Sequence, residues 1–250
     1  MSLVKFNDFN INAIKVTQLK NGKFMRNFYL DYEGGVFELQ TPKFLLDWGG
    51  VPRKDEYHRT DSDRRYVMYG LDPVTDLNKT GETSEQNSKR DDELDVFKSK
   101  LLELEELMQS DDVQQRLFGH TKADFVPLYR GGDSKLSTPT IKHMPDKVKF
   151  KFYCDRDTGD PEFELFKRSP DGTREELSTE GMSIDHLHSE IFQFMGTQRL
   201  VISFRGWAER KPKPNMPLRY GVSMIIKRVE YTKRMPKPKP KLSISEEFLD

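Results

Sequence analysis

Two strand-like segments near the end of the chain constrain its fold more strongly than any other feature. In residues 198–207 and again in residues 219–231, apolar side chains recur at every second position. These alternating residues are Leu200, Ile202, Phe204, Tyr220, Val222, Met224 and Ile226. A period of two is typical of strands with one buried face. Residues 208–217 are rich in proline and too long for a tight turn, so the sequence predicts an antiparallel hairpin with a long loop, and it favours a core position for Tyr220.

The same region is strongly basic. Its only acidic residues between positions 199 and 234 are Glu209 and Glu230. Its cations are Arg199, Arg205, Arg210, Lys211, Lys213, Arg219, Lys227, Arg228, Lys233 and Arg234. A cationic loop beside a strand that carries an aromatic side chain such as Trp207 suits a phosphate backbone with unpaired bases. An ordinary solvated hairpin is the alternative, and this region alone does not decide between the two.

Charge summed over the whole chain gives no such signal. The 41 basic side chains balance 41 acidic ones, but the acids concentrate around residues 91–112 and the bases near the C-terminus, which points to a polyanionic partner. The single cysteine, Cys154, suits a reducing compartment, and we expect it to be buried or inert. No run approaches the roughly 18 apolar residues of a membrane span, and the first residues lack a secretory signal, so we expect no membrane contact.

Two further segments have the pattern of strands. Residues 27–32 and 36–40 flank Gly34 and Gly35, which predicts strand, two-residue turn and strand. Residues 147–153 alternate strictly between polar and apolar side chains, with Val148, Phe150 and Phe152 on one face. The opposite face of this strand carries Lys147, Lys149, Lys151 and Tyr153. The sequence therefore predicts a second basic and aromatic cluster.

The middle of the chain has the pattern of helices. Residues 90–109 carry an apolar stripe at helical spacing, formed by Leu94, Phe97, Leu101, Leu104 and Met108. A second short helix is predicted from a cap at Asp111 to Gly119, so that residues 85–119 form a helical insertion packed against a sheet. Ser183 is the predicted cap of a short helix with Ile184, Leu187 and Ile191 facing inward.

Motifs that carry catalysis are absent from the sequence. There is no Gly-rich phosphate loop followed by Lys-Ser or Lys-Thr. His186 and His188 lie two positions apart on a predicted helix, where they would not share a face, so they make a poor metal pair. We expect no cofactor, no metal and no enzymatic activity, with an enzyme acting on nucleic acid as a third hypothesis.

Several short signatures, in a particular order, resemble a known family. They are Gln40-Thr-Pro42, Trp48-Gly-Gly-Val51, Tyr66-Val-Met-Tyr69, Leu117-Phe-Gly119, Leu128-Tyr129 and Tyr220-Gly-Val222. Their order over roughly residues 27–233 is similar to that in single-stranded-DNA-binding proteins of nucleocytoplasmic large DNA viruses, which include African swine fever virus and giant-virus relatives. Relatives often have Trp-Phe-Gly where this chain has Leu-Phe-Gly. The resemblance implies an OB-like β-barrel, elaborated with helices, that binds single strands without sequence preference.

We therefore expect an α+β, β-rich protein with one OB-like domain over residues 1–234. The first hypothesis is sequence-independent binding of single-stranded DNA in viral replication, repair or recombination, in the host cytoplasm or the virion. A virion structural or scaffold protein is the second hypothesis. RNA as a ligand and a homo-oligomeric state stay open. The predicted nucleic-acid contacts are Arg199, Arg205, Trp207, Arg210, Lys211, Lys213, Arg219, Lys147, Lys149, Lys151 and Tyr153.

The last residues of the chain form a separate kind of segment. Residues 235–241 read Met-Pro-Lys-Pro-Lys-Pro-Lys, and this alternation of proline and lysine favours a semi-rigid extended linker. The acidic end that follows has an apolar tip, and Phe248, Leu249 and Asp250 are predicted to contact replication proteins. The segment lies outside the family signature and resembles in kind the acidic tails of other single-strand binders, which recruit replication partners.

Overall fold

Helices pack against one large mixed sheet, which makes this a β-rich α+β protein. The structure is a computed structural model and describes residues 2–72, 83–131, 146–214 and 216–233. Its fourteen strands are β1 Ser2–Lys5, β2 Ile14–Val16, β3 Lys20–Asn21, β4 Arg26–Tyr32, β5 Phe37–Leu45, β6 Gly49–Gly50, β7 Tyr66–Gly70, β8 Ala123–Val126, β9 Tyr129–Arg130, β10 Lys147–Lys151, β11 Glu164–Arg168, β12 Arg174–Leu177, β13 Thr197–Ala208 and β14 Leu218–Thr232. The helices are α1 Ser84–Gln109, α2 Asp111–Phe118 and α3 Ile184–His186, which continues as a π-helical turn over Leu187–Ile191.

The long hairpin of β13 and β14 is the centre of the sheet. Its register runs from Thr197 opposite Thr232 to Ala208 opposite Tyr220, and this confirms the predicted hairpin. A bulge shifts the register, because Val201 faces Arg228 whereas Ile202 faces Ile226. Beyond it, the inward positions of β14 are Val229 and Tyr231, and both are buried. The bulge therefore turns Arg228 outward, although strict alternation from Tyr220 would have pointed it into the core.

Each strand of this hairpin has several partners along its outer edge. β13 pairs antiparallel with β5 at one end and with β4 at the other. β14 pairs in parallel with β8, β10 and β11 in turn. The main path across the sheet is β1-β5-β13-β14-β10-β7-β6. Side chains from segments far apart in the chain therefore meet on the two faces of the hairpin.

The inner face of the sheet holds an aromatic core beneath α1. The Phe97 ring meets the Phe44 ring edge-on at 5.8 Å, and Phe44 stacks on Tyr69 at 4.6 Å. Burying one such side chain contributes about 1.5–3 kcal/mol. Tyr220 is fully buried, and its hydroxyl donates a hydrogen bond of 2.6 Å to the carbonyl oxygen of Met108. The core position favoured for Tyr220 is confirmed.

The predicted helices are confirmed, with different ends. The apolar stripe predicted for α1 is buried throughout. α1 begins at Ser84 rather than near residue 90, because Thr83 and Gln86 form a capping box that starts the helix earlier. Ser110, not Asp111, caps α2 through its side-chain oxygen. Gly119 ends α2 with a φ of 61°, a conformation that glycine adopts readily.

The prediction of a hairpin around Gly34 and Gly35 is wrong in its pairing. Tyr32 and Gly35 exchange two backbone hydrogen bonds of 2.9 and 3.0 Å, but the residues with positive φ in that turn are Glu33 and Gly34. Beyond this single pair the strands separate. β4 and β5 both run antiparallel to β13 and lie end to end along its edge. Both strands pair with the long central strand instead of with each other.

Other predictions meet the structure as follows. Cys154 is buried, as predicted. Ser183 caps α3 and the predicted inward residues of that helix are buried. No helix in the described ranges is long and apolar enough to cross a membrane. The predicted linker and the tail contacts Phe248, Leu249 and Asp250 lie outside the described residues.

Candidate nucleic-acid interface

Cationic and aromatic side chains from β13, β10 and the segment after β10 meet on the outer face of the sheet. A guanidinium nitrogen of Arg205 donates a hydrogen bond of 3.2 Å to the Tyr153 hydroxyl. The ammonium group of Lys151 donates one of 3.0 Å to the Ser223 hydroxyl. Ser223 faces Arg205 directly across the hairpin. The two clusters that the sequence predicts, on separate strands, are thus joined at Arg205, Lys151 and Tyr153.

Strand register explains this meeting. Arg205 stands on β13 between Ser223 of β14 and Tyr29 of β4, and Tyr29 is 43% exposed. Lys151 faces Ile225, the second residue after Ser223 on β14. Because side chains alternate between the faces of a strand, Tyr29, Arg205 and Ser223 all point outward. The outer face therefore carries a row of hydroxyls, cations and rings across three strands.

Trp207 continues this row toward the loop of the hairpin. It faces Asn27 on one side and Gly221 on the other. A Cβ on Gly221 would lie 3.1 Å from Cζ2 of Trp207, so the indole rests on the glycine backbone. One ring face is thereby covered by the sheet, and the side chain as a whole is half-buried. A half-buried indole held in this way is the type of side chain on which unpaired bases stack.

Lys149 is the most perturbed cation of this surface. Its ammonium nitrogen lies 3.4 Å from the centre of the Tyr66 ring, a cation–π contact. Burial, together with the positive charges of Lys151 and Arg130, lowers the pKa of Lys149 to about 8. We call Tyr29, Tyr66, Lys149, Lys151, Tyr153, Arg205 and Trp207 the cationic–aromatic face.

An acidic side chain borders this face at Tyr66. The Tyr66 hydroxyl lies 2.8 Å from Nε2 of His58, whose Nδ1 lies 3.0 Å from Asp55. The Asp55 carboxylate also accepts hydrogen bonds from the backbone of Tyr57 and His58. It is therefore held by its own turn rather than by the lysines of the face.

The hairpin loop contains both exposed and paired cations. Arg210, Lys211 and Lys213 are exposed, and Arg210 donates a hydrogen bond to the carbonyl oxygen of Gly22. Arg219 instead forms an ion pair with Glu209 across the base of the loop, with nitrogen–oxygen distances of 2.7 and 3.1 Å. These hydrogen bonds hold the pKa of Glu209 below its usual range. Arg219 closes the hairpin, whereas the other three predicted cations are accessible to a ligand.

Arg199 lies in a different cluster, roughly 20 Å along β13 from Arg205 at about 3.3 Å per residue. It faces Glu230 on β14, and the Glu230 carboxylate accepts two hydrogen bonds from Arg168, of 3.0 and 3.3 Å. Arg228 donates a hydrogen bond of 2.6 Å to Glu164 in the same cluster. Arg199 therefore lies beside a network of ion pairs and apart from Arg205, and its contact with phosphate stays a prediction.

Lys147 is separated from the face in the other direction. It stands at the opposite end of β10, where its ammonium group lies 5.2 Å from the centre of a Trp48 ring. Trp48 lines a cleft of about 710 Å³ together with Val51, His188 and Phe194. The three predicted lysines of β10 therefore lie on one side of the strand, but Lys147 contacts the cleft, whereas Lys149 and Lys151 belong to the cationic–aromatic face.

Sequence reasoning missed Tyr29, Tyr66 and Ser223. Tyr29 lies in a segment that was predicted as a strand, and Tyr66 begins another, so alternation places each ring on a face. No local pattern shows which strands are neighbours, and this information was needed to place these side chains beside Arg205 and Lys149.

Within the described ranges, no group of three or more His, Cys, Asp or Glu side chains could hold a metal ion. Burial raises the pKa of the Cys154 thiol, which disfavours the reactive thiolate. What the face offers is positive charge, hydroxyl donors and exposed rings.

Comparison with known proteins does not assign a function to this surface. The sequence matches no family model, and no curated protein matches it. The role of the cationic–aromatic face is therefore inferred from its own side chains.

Proposed function

We propose that this protein binds single-stranded DNA without sequence preference on its cationic–aromatic face. The observation that carries the proposal is the meeting of Arg205, Lys151 and Tyr153 on one exposed sheet surface beside Trp207. Phosphates would contact the ammonium and guanidinium groups, and unpaired bases would stack on the rings. Since every base has a π face and every nucleotide a phosphate, such contacts distinguish single strands from duplexes but not one sequence from another.

An OB-like barrel is the finer fold that we propose for the sheet. Its support is that β13 and β14 exchange partners along their length, as strands of a strongly coiled sheet do, and that a bulge interrupts their ladder. The parallel partners of β14 depart from the Greek-key pattern of a minimal OB fold. Together with the signatures that resemble single-strand binders of large DNA viruses, this supports a role in viral DNA replication, repair or recombination.

Trp207 provides the direct test of stacking. The chain has two tryptophans, so a Trp48→Phe background reports Trp207 alone. We expect its fluorescence to be quenched when an unlabelled oligothymidylate is added. Trp207→Ala should weaken binding by about 1–3 kcal/mol, the contribution of one base stack. Fluorescence titration and anisotropy with a labelled strand measure the two effects.

The control for Trp207 is the conservative variant. Trp207→Phe should retain most of the affinity, because a smaller ring can still cover Gly221 and stack on a base. Melting temperatures of all variants decide between binding and folding roles. If Trp207→Ala unfolds the protein at the assay temperature, the indole is a structural cover for the sheet and the stacking role is wrong.

The depressed pKa of Lys149 predicts a pH dependence of binding. A nearby phosphate favours the charged ammonium, so binding should weaken as the free protein loses this proton above about pH 8. We expect a loss of up to about tenfold between about pH 7 and about pH 9, because roughly one lysine in ten keeps its proton one unit above its pKa. Lys149→Arg stays charged at this position throughout the range and should lose less affinity than wild type, although burial also lowers the pKa of Lys151. Equal pH profiles for Lys149→Arg and wild type would contradict this role of Lys149.

A protein-docking role is the second candidate, and the cleft beside Trp48 favours it. This cleft has a volume of about 710 Å³, and Phe194 at its edge is 58% exposed. A virion scaffold protein could use such a surface to hold a partner. The two candidates separate in one experiment, because only DNA binding by the cationic–aromatic face predicts measurable oligonucleotide affinity in wild type, and Phe194→Ala should leave that affinity unchanged. The proposal of single-strand binding also includes recruitment of replication proteins by Phe248, Leu249 and Asp250. These three residues lie outside the described structure.

A further inference from the structure

A second hairpin places an aromatic side chain at its exposed tip. β3 pairs with β4 through Lys20 opposite Asn27, and the turn between them is closed by a hydrogen bond of 2.9 Å from the Gly22 nitrogen to the Met25 oxygen. Phe24 lies in this turn and is 79% exposed. A single exposed phenylalanine is ordinary on a protein surface. What distinguishes Phe24 is that it lies in a fixed turn among cationic side chains, next to the cationic–aromatic face.

The tip is held in place by its own geometry and by the neighbouring loop. A Cβ on Gly22 would lie 2.4 Å from the Asn27 side chain and 2.6 Å from the Met25 oxygen, so this turn requires glycine. Arg210 of the β13–β14 loop donates its hydrogen bond to the Gly22 carbonyl oxygen. The two loops are thereby tied side by side.

The β3–β4 turn and the β13–β14 loop, which we call the paired basic loops, carry almost only positive charge. Residues 17–26 contain no acidic residue, and residues 208–217 contain only Glu209, which is paired with Arg219. The cations of the two loops are Lys20, Lys23, Arg26, Arg210, Lys211 and Lys213, of which Arg26 donates two hydrogen bonds to the backbone carbonyl oxygen of Glu209. The ammonium group of Lys23 lies 5.3 Å from the centre of the Phe24 ring. Two exposed methionines, Met25 at 42% and Met216 at 47%, add apolar surface to the two loops.

The tip is continuous with the cationic–aromatic face. Asn27, which pairs with Lys20 of the β3–β4 hairpin, also stands directly opposite Trp207 on β13. A strand that stacks on Trp207 and moves toward the hairpin loop therefore meets Lys20, Lys23 and the Phe24 ring next. This sequence of cations and rings continues the pattern found at Arg205 and Tyr153.

We propose that Phe24 stacks on an unpaired base and extends the single-strand path beyond Trp207 onto the paired basic loops. This inference rests on the proposed function, because it assigns the ligand of the tip to the same strand. A basic loop with an exposed phenylalanine could also suit an anionic membrane surface. Continuity with Trp207 favours the nucleic acid.

The test compares five full-length proteins in binding a labelled oligothymidylate at low salt. They are wild type, Phe24→Ala, Phe24→Tyr, Trp207→Ala and Phe194→Ala. We expect Phe24→Ala to bind about fivefold or more weakly, the lower end of one lost base stack. Phe24→Tyr keeps an aromatic ring and should bind like wild type. Phe194→Ala is the matched control, because it removes an exposed ring elsewhere and should have no effect. Melting temperatures should agree for Phe24→Ala and wild type, since the side chain is mostly outside the core.

The outcomes separate this inference from the proposed function. Wild-type affinity of Phe24→Ala, in an experiment where Trp207→Ala binds weakly, would overturn the role of Phe24 and leave the proposed function standing. No binding by wild type would overturn both. Vesicles containing phosphatidylserine test the membrane alternative. Vesicle binding that requires Phe24, with unchanged oligonucleotide affinity, would assign the tip to a membrane and overturn the inference.

Discussion

Replacing Arg205 and Lys151 together by glutamate should reduce the affinity for single-stranded DNA by about 100-fold or more, because a hydrogen bond to a charged group contributes about 1.5–3 kcal/mol. Both side chains lie at the centre of the cationic–aromatic face and are exposed. Each substitution removes a phosphate contact and introduces a charge that repels the backbone of the strand. Anisotropy of a labelled oligonucleotide at fixed salt measures the loss.

The fold should tolerate this double substitution. In the free protein, Arg205 contacts the Tyr153 hydroxyl and Lys151 contacts the Ser223 hydroxyl, both on the exposed surface. Exposed polar contacts of this kind contribute little to stability, as exposed ion pairs do. We therefore expect a melting temperature close to that of wild type.

A matched control uses the same change of charge on the other side of the sheet. Lys89 and Lys100 belong to α1, which covers the inner face through Phe97. Lys89→Glu with Lys100→Glu alters the net charge as much as the double substitution on the face. If this control weakens binding equally, the effect is one of total charge, and the assignment of the face is wrong.

The second large effect that we expect is a steep dependence of binding on salt. The cations of the cationic–aromatic face and the β13–β14 loop that we assign to the strand are Lys149, Lys151, Arg205, Arg210, Lys211 and Lys213. If they neutralise about six phosphates, log affinity falls with log salt at a slope of about −4, which is about 10²-fold between about 50 and about 200 mM. Titration of wild type at several salt concentrations gives this slope directly.

The slope of log affinity against log salt should distinguish stacking variants from charge variants. Trp207→Ala should weaken binding at every salt concentration and leave the slope unchanged, because stacking releases no counterions. Arg205→Glu should make the slope shallower. Tight binding that is insensitive to salt would contradict a phosphate-tracking surface, and a groove that recognises bases directly would have to take its place.

Local patterns in the sequence predicted the central elements well. A strand with one buried face must alternate, so the inward residues of β13 and β14 could be identified without knowing what covers them. The stripe of α1 was predicted for the same reason, because a helix with one buried side repeats its apolar residues every three or four positions. The error at β4 and β5 arose because a tight turn usually joins paired strands, and here a longer partner, β13, was available to both.

Alternation and helical spacing in the sequence alone determined which side chains of each element face outward, and with them the basic and aromatic character of β10 and β13. Only the tertiary structure decided which of these side chains share a surface. It joined Arg205 to Tyr153 and placed Arg199 opposite Glu230, and it paired Arg219 with Glu209. The physical reason is that strand neighbours are set by the combined packing of the whole core, whereas the facing of a side chain follows the period of its own strand except where a bulge interrupts it, as it does before Arg228.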